Sequence, residues 1–467
     1  MSEQSISDQP QVELRFFSGT IEIHLNPEQV LNEFTWPSTV QWDPRTSCLR
    51  APAIAYSAIV MALIHQRVSY KDHARDYLVL EGNMTNSKTP RPFQQEAIDA
   101  WLPRRQGVVV LPTGAGKTYV AQMAIEAVSR STLIVVPTLE LVRQWTQSLS
   151  EAFPFAVGAI GGGDYNPQPL TVITYDSAYG HMENIGNRYG LIIFDECHHL
   201  PGETYSLAAL SCLAPYRLGL SATPERADGR HSDLDYLIGP ILYRRDVLEL
   251  AGDYLAEYST HQVIVDLTQT ERAEYEAERG IYKDFIISQG IRLSHPKGWS
   301  EFVMKSARSS QGRRAMKAYL RQKKLAFAAP SKIDYVDQLL HRHRKDRTLL
   351  FTQNNTTAYE VSQRFLLPVI THQTKPSERS EILNGFAEGK YLAVVTSKVL
   401  NEGVDVPDAN VAIVISGSGS VREHVQRLGR ILRRASPDKQ AVLYELIAAD
   451  TSEAYTSARR REHNAYR

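Results

Sequence analysis

The chain has 467 residues, 43% of them hydrophobic and 22% charged, which is too long for one hydrophobic core and points to two to four domains. Lys and Arg balance Asp and Glu at 52 each, so bulk charge gives no grounds for a nucleic-acid partner, which could be argued only from local basic clusters. Three cysteines (Cys48, Cys197 and Cys212) and no CxxC exclude a paired disulfide framework and a four-cysteine zinc or iron–sulfur site.

Along the chain, Glu13–Phe17 and Thr20–His24 read as short strands and Ala53–His65 as an apolar helical stretch. Asn83–Pro90 is a polar linker. From Gly107 the pattern changes to short apolar runs separated by helix-length segments: Gly107–Leu111, Thr132–Val136, Leu170–Thr174, Gly190–Phe194 and Arg217–Leu220. Continuous Val/Ile/Leu runs of this length fit strands buried on both faces of a parallel sheet. The pattern returns after Pro330 with Arg347–Thr352, Leu367–Thr371, Tyr391–Thr396, Asn410–Ile415 and Gln440–Leu446. Two such sets predict two doubly wound α/β lobes. Between them lies a helical insert whose second part, Ile291–Lys324, carries ten Lys/Arg against one Asp/Glu. The expected domains are an N-terminal α+β domain (1–85), a first lobe (86–267), the basic helical insert (268–328) and a second lobe (329–467). No apolar run approaches transmembrane length and the first ten residues are polar, so no membrane association is expected.

The strand Gly107–Leu111 runs into Pro112-Thr113-Gly114-Ala115-Gly116-Lys117-Thr118. A glycine loop between strand and helix presents backbone N–H groups to phosphate oxygens. Thr113, Gly114 and Gly116 would cradle the phosphates, Lys117 would reach the β and γ phosphates of ATP, and the Thr118 hydroxyl would ligand Mg2+. Leu111 stands where the strict motif has a further glycine. Gly190–Phe194 ends in Asp195-Glu196-Cys197-His198, where Asp195 would hold magnesium and Glu196 would polarise the attacking water. Adjacent His198 and His199 cannot easily face one ion, so a coupling or packing role is expected. Arg217–Leu220 ends in Ser221-Ala222-Thr223, whose hydroxyls could link the nucleotide site to the neighbouring lobe.

In the second set, Gln426-Arg427-Leu428-Gly429-Arg430-Ile431-Leu432-Arg433 places Arg430 and Arg433 on one helix face, suited to charge developing on a γ-phosphate. Gln426 joins them as a catalytic candidate. Thr396 and Ser397, at a strand end, are candidates for a DNA phosphate, and Gly403 and Asp405 for the nucleotide. In the insert, Arg313, Arg314 and Lys317 are the candidate DNA contacts, set against the plainer reading of a solvated helix face.

Taken in order, these segments resemble superfamily 2 helicases over about 350 residues. The resemblance begins at Arg91-Pro92-Phe93-Gln94, where it implies that Gln94 reads adenine and that Arg91 lies at the nucleotide. Pro137-Thr138 with Gln144-Trp145 is similar to the motif that holds a DNA strand, with Thr138 and Thr174 as the hydroxyl contacts. DECH, SAT, TSKVLNEGVDVP and QRLGRILRR follow. A narrower resemblance is to the XPB family in its archaeal and bacterial form. It rests on Trp42-Asp43-Pro44-Arg45 with Arg50-Ala51-Pro52-Ala53, on the place of the basic insert, where that family carries a thumb, and on Arg226-Ala227-Asp228, where it carries an Arg-Glu-Asp wedge. Here Ala227 replaces the central glutamate, which leaves Arg226 and Asp228 as the wedge candidates. The resemblance implies two RecA-like lobes, a damage-recognition-like N-terminal domain, and a 3′→5′ DNA-dependent ATPase acting in repair or promoter opening. It implies a nuclease partner as in archaeal members, and a monomer or a hetero-complex is expected; the cysteine usage and the lack of an apolar signal core or transmembrane run predict the cytoplasm, at the nucleoid. A duplex translocase that does not separate strands, an RNA helicase and a DNA-binding module with a vestigial ATPase are the competing readings.

Overall fold

A computed structural model describes residues 12–25, 34–85, 88–226, 228–295, 297–397, 409–417 and 440–460. Ala227, Gly403, Asp405, Gln426, Arg430 and Arg433 lie outside the described residues. The chain divides into two units, Met1–Arg245 and Asp246–Arg467.

Alternating burial builds the N-terminal sheet. Strands β1 (Val12–Phe17), β2 (Thr20–Leu25), β3 (Gln41–Asp43), β4 (Cys48–Pro52) and β5 (Tyr70–His73) lie in the order β3-β4-β2-β1-β5. Val12, Leu14, Ile21, Ile23, Leu49 and Ala51 bury one face, together with Ile59 and Leu63 of helix α1 (Tyr56–His65). The residues between them are polar, as period-two alternation requires of a half-exposed sheet. This layer packs onto the rest of its unit: Leu213 joins its core, and the Asn187 amide donates to the Ala74 carbonyl at 3.0 Å.

The larger sheet of the first unit has eight strands: β6 (Gln106–Val110), β7 (Thr132–Val136), β8 (Val157–Gly161), β9 (Asp164–Tyr165), β10 (Leu170–Thr174), β11 (Leu191–Asp195), β12 (Tyr216–Ser221) and β13 (Ile241–Arg244). Their order is β13-β6-β12-β11-β7-β10-β8-β9, parallel throughout except for β8 with β9. Strands β7, β10 and β11 are buried along their whole length, as the uninterrupted apolar runs predict. Helices α2 (Pro92–Trp101), α3 (Lys117–Val128), α4 (Leu139–Ala152), α5 (Tyr175–Ile185), α6 (Ser206–Leu210) and α7 (Leu234–Leu237) connect or precede the strands. The expected strands of this lobe all form, within a residue or so at their ends.

The second unit opens with α8 (Val247–Leu250) and β14 (Glu257–Val265) and holds a six-stranded sheet with β15 (Thr348–Phe351), β16 (Val369–Ile370), β17 (Ala393–Thr396), β18 (Val411–Val414) and β19 (Gln440–Ala448). The order is β14-β19-β18-β15-β17-β16, all parallel. The first lobe therefore ends earlier than the expected residue 267. Residues 257–265 pair along their full length with β19, from Glu257↔Gln440 to Val265↔Ala448, and that ladder fixes them to the second sheet. The insert is helical as expected: α9 (Gln269–Ser288), α10 (Gly298–Ala307) and α11 (Ser310–Ala328), followed by α12 (Pro330–Arg342), α13 (Asn355–Phe365) and α14 (Pro376–Ala387).

One ion pair fastens this unit at depth. Lys332 Nζ on α12 donates to Glu453 Oε2 at 2.7 Å, and both side chains are fully buried. The same carboxylate oxygen accepts the Ala448 N–H at the end of β19. Removing one partner of such a pair strands the other charge in a dry interior, at a cost of about 3–5 kcal/mol, whereas apolar replacement of both is far cheaper. We expect Lys332→Met to weaken hydrogen-exchange protection of β14, β18 and β19 by that amount. The double variant Lys332→Met/Glu453→Leu should recover most of it.

Candidate functional site

In a parallel sheet the loops that follow neighbouring strands share one edge. Strand β12 lies between β6 and β11, with Ser221 opposite Val110 and Leu220 opposite Asp195. The glycine loop after β6, the Ser-Ala-Thr segment after β12 and the carboxylates after β11 therefore meet side by side. Next along the edge come Thr138 after β7 and Thr174 at the end of β10, whose strands pair Val136 with Thr174.

The glycine loop needs its glycines. Gly114 and Gly116 have φ of 86° and 83°, a left-handed conformation that glycine adopts without penalty. A Cβ at Gly116 would also lie 2.5 Å from Gln94 Nε2. Gly116 is the N-cap of α3, so the first N–H groups of that helix open into the loop. Gln94 is buried behind it: its Oε1 accepts the Arg91 N–H at 3.0 Å and its Nε2 donates to the Ala115 carbonyl at 2.9 Å. The amide expected to read adenine thus braces the phosphate loop, and Arg91 is exposed at the start of α2. Thr113 Oγ1 is buried with no hydrogen-bond partner among the described residues, an orphan of the kind a phosphate oxygen would satisfy.

Lys117 begins α3, its Nζ 3.4 Å from the Leu111 carbonyl and 4.0 Å from Glu196 Oε1. Thr118, beside it, is half-buried. Asp195 is buried, and its own environment resists its charge: burial first, and then the neighbouring Glu196 carboxylate, push it up to about 6. Lys117 and the Trp145 indole pull the other way. Trp145 Nε1 donates to Asp195 Oδ2 at 2.9 Å, and the Glu196 N–H donates to Oδ1 at 3.0 Å. Glu196 itself sits at φ 48°, ψ 51°, a left-handed conformation costing a non-glycine residue about 1–3 kcal/mol. The threonine hydroxyl and buried aspartate are oxygen ligands suited to a hydrated divalent cation, the lysine suits the phosphate chain beside it, and the glutamate is left over to orient water.

A polar chain leads away from this cluster. His198 Nδ1 lies 3.4 Å from Glu196 Oε2 and 3.2 Å from Ser221 Oγ, and Ser221 Oγ accepts the Thr223 N–H at 3.1 Å. His198 thereby bridges the carboxylates and the Ser-Ala-Thr segment. Arg226 reaches the same histidine, donating to its carbonyl at 2.7 Å while forking onto Asp228 at 3.0 and 2.6 Å. The guanidinium of this wedge candidate is occupied by these two partners, and Arg226 holds Asp228 well below the usual carboxylate range.

The strand-contact candidates divide. Thr138 caps α4, accepting the Leu141 N–H at 3.2 Å. Thr174 caps α5 and donates to Ser177 Oγ at 2.9 Å. In the second unit Thr396 and Ser397 are buried, and the Thr396 hydroxyl donates to the Ser397 carbonyl at 3.1 Å, so that hydroxyl turns inward. On the insert, Arg314 forks onto Glu278 of α9 at 2.6 and 2.8 Å, whereas among the described residues Arg313 reaches only the Ala307 carbonyl at 3.4 Å. Arg321 is likewise paired with Glu274, and Lys324 with Glu360. Sequence reasoning missed the role of Trp145, which it placed on a DNA strand; its hydrogen-bond partner is 50 residues away, and no local pattern announces it. One other group of metal-capable atoms, Glu22, His24 and Cys48, has Arg50 beside Glu22 at 3.9 Å, which supplies positive charge there already.

Three family models match the chain: the Xeroderma pigmentosum group B helicase damage recognition domain over residues 14–74, the type III restriction enzyme res subunit over 87–226, and the ERCC3/RAD25/XPB C-terminal helicase over 311–465. The chain is 40% identical to the DNA 3'-5' translocase XPB2 of Sulfurisphaera tokodaii, over 97% of its own length and all of that protein. It is 32% identical to the DNA 3'-5' helicase XPB of Kineococcus radiotolerans, covering 79% of this chain and 62% of that one. The crystal structure of the Pyrococcus furiosus Hef helicase domain superposes with a TM-score of 0.54 at 19% identity, over 79% of this chain and 98% of that one, a likeness of fold.

Asp195 must be ionised to ligand a cation. A cation arriving above about pH 6 meets the carboxylate already charged; below it, the cation must displace a proton. Affinity for a divalent cation should fall as pH drops through about 6, with proton release growing over the same range. Calorimetric titration in buffers of different ionisation enthalpy measures both, and Asp195→Asn should abolish the dependence.

Proposed function

The chain belongs to the XPB family, and on that premise we propose that it is an ATP-driven DNA translocase of 3′→5′ polarity that separates strands in repair or transcription. The observation that carries this reading is the strand-end cluster of Lys117, Thr118, Asp195 and Glu196, joined through His198 to Ser221. In it, Thr113, Gly114, Gly116 and Lys117 bind the ATP phosphates, Thr118 and Asp195 hold Mg2+, and Glu196 orients the water. The magnesium ion supplies charge neutralisation at the phosphates. Two contacts support that role: Glu196 Oε1 lies 4.0 Å from Lys117 Nζ at the glycine loop, and Oε2 faces His198 Nδ1 at 3.4 Å. Gly403, Asp405, Gln426, Arg430 and Arg433 are proposed as nucleotide residues from the family motif order alone.

DNA is the proposed track. Thr138 and Thr174 cap helices on the same edge of the first sheet, Thr174 with its hydroxyl hydrogen given to Ser177 Oγ, and the insert offers a second surface. A groove of about 750 Å³ there is lined by Tyr282, Tyr319 and Phe327 with Arg279, Lys283 and Lys323, aromatic faces and cations of the kind single strands stack against. Loop residues Arg226 and Asp228 remain the proposed wedge, held to His198 rather than reaching out on their own. A relative named as a translocase keeps movement along duplex without strand separation as the second reading. Fork unwinding measured beside triplex displacement separates the two, and hydrolysis on a panel of single-stranded, duplex and forked DNA and RNA tests the track. A nuclease partner and a place at the nucleoid are expected of such an enzyme, and co-purification tests the first.

Two outcomes are expected. Glu196→Gln should bind ATP near wild-type affinity yet hydrolyse it at a small fraction of the wild-type rate, because the water loses its orienting carboxylate; single-turnover kinetics beside equilibrium binding distinguish the two steps. On the insert, Arg313→Ala with Lys317→Ala should lower the slope of log affinity against log salt by about 0.7–0.9 for each phosphate that is no longer neutralised. Arg314→Ala should change it less, since Glu278 already holds that guanidinium.

A further inference from the structure

Helix α4 carries an apolar stripe, Val142, Trp145, Leu149 and Ala152, that it buries against the sheet. Trp145 breaks the stripe's chemistry in one atom. Its ring is 2% exposed, and its single polar group, Nε1–H, meets Asp195 Oδ2 at 2.9 Å. The other carboxylate oxygen is met by the Glu196 N–H at 3.0 Å, and the Asp195 carbonyl accepts the Tyr175 hydroxyl at 3.1 Å. Carboxylate and main chain of Asp195 are thus fixed from three sides.

The choice of donor matters. An arginine or lysine in this place would neutralise Asp195 and compete with an incoming cation. An indole N–H is a donor only, carries no charge, and sits on a rigid ring with few rotamers. It holds the carboxylate in one orientation and leaves its negative charge and its remaining lone pairs for a cation. Partners of this kind orient metal ligands from behind.

The same helix begins at the strand-contact edge. Thr138, its N-cap, stands two turns before Trp145, about 10 Å along the axis. Leu139 packs over the Gly161–Gly162 turn and so lies beside Thr174. A displacement of the α4 N-terminus by a bound strand therefore reaches Asp195 through one rigid element and one hydrogen bond.

We propose that Trp145 is a positioning residue for ATP hydrolysis: its indole N–H sets the Asp195 carboxylate for the divalent cation, and α4 joins that setting to the strand-contact cap at Thr138. This rests on the ATPase and DNA reading above. Trp145→Phe keeps the ring and removes the N–H. It should raise the magnesium concentration needed for half-maximal binding of a fluorescent, non-hydrolysable ATP analogue by about 10-fold or more, with excess magnesium restoring binding. It should also lower the ratio of DNA-stimulated to DNA-free hydrolysis at saturating magnesium. Trp101→Phe is the matched control, since Trp101 is as deeply buried in the same unit and donates to the Arg217 carbonyl at 3.0 Å. It should leave the magnesium requirement and the stimulation ratio as they are.

A second measurement needs no change at Trp145. Among the five indole N–H resonances of the intact protein, assigned by substituting the other four tryptophans, that of Trp145 should shift on titration with magnesium chloride while that of Trp101 stays. A folded Trp145→Phe protein with the wild-type magnesium requirement, or a Trp145 resonance indifferent to magnesium, overturns the assignment. If DNA does not stimulate the wild-type protein, the functional reading falls with the coupling to Thr138, and the magnesium titrations still decide the link to Asp195.

Discussion

Keeping a carboxylate ionised in the dry end of a parallel sheet demands that fixed dipoles replace the water it has lost, and Asp195 imposes that demand on everything around it. Burial and the adjacent Glu196 both oppose its charge. The Lys117 charge and two N–H dipoles, from Trp145 and from Glu196, answer them. Each answer constrains the fold. The Glu196 amide reaches Oδ1 as the chain enters a left-handed residue and a short 3-10 turn. The indole reaches Oδ2 only because β7 lies beside β11, which seats α4 above it. The lysine of the glycine loop is 4.0 Å from Glu196 rather than closed onto Asp195. Charge is left unbalanced at the place where the phosphates and their cation are expected, which is how a site is preorganised for a ligand rather than for itself.

The second unit solves a different problem, that of holding a long helical arm on a small sheet. Its charges are arranged in pairs. Glu274 and Glu278 on α9 take Arg321 and Arg314 on α11, and Glu360 takes Lys324. Exposed pairs of this sort contribute little stability each, but a row of them fixes the register of two antiparallel helices. The cluster of basic residues thus reads in sequence as a surface for phosphates and in structure partly as one side of a helix pair. At the base of the arm, Tyr275, Leu325, Ala326 and Ala329 share one core with Ala448 of β19, and Lys332 meets Glu453 close by. The arm is consequently rooted in the central sheet.

What was legible in the sequence was whatever is encoded locally. Doubly buried strands announce themselves as apolar runs, and the loops that follow them carry their residue types in order, so the glycine loop, the acidic pair and Ser221-Ala222-Thr223 were all placed correctly on strand ends. The strands that escaped are those without a run. Val157–Gly161 is interrupted by glycines, Ile241–Arg244 is a half-exposed edge, and Glu257–Val265 is mostly exposed along its length. The last of these misled the domain boundary, because a strand's sheet is decided by its partner and not by its neighbours in the chain. The same holds for the site. That Arg226 answers to His198, Arg314 to Glu278 and Trp145 to Asp195 depends on pairings 28, 36 and 50 residues apart, which spacing along a single helix or strand cannot express.

The capping hydroxyls show how one group can serve two purposes without conflict. A threonine Oγ that accepts a backbone N–H still has its own hydrogen to donate. Thr138 accepts from Leu141, and among the described residues nothing takes its hydroxyl hydrogen. Thr174 accepts from Ser177 N and gives its hydrogen to Ser177 Oγ, which passes the donor role one residue further along the edge. A phosphate oxygen arriving here would therefore be met by Thr138 directly and by the Ser177 hydroxyl in place of Thr174. The caps need not break to make the contact. A bound strand would draw on the first turns of α4 and α5 while both helices stay intact, and these are the helices that bring Trp145 to the carboxylate and Tyr175 to the carbonyl of Asp195.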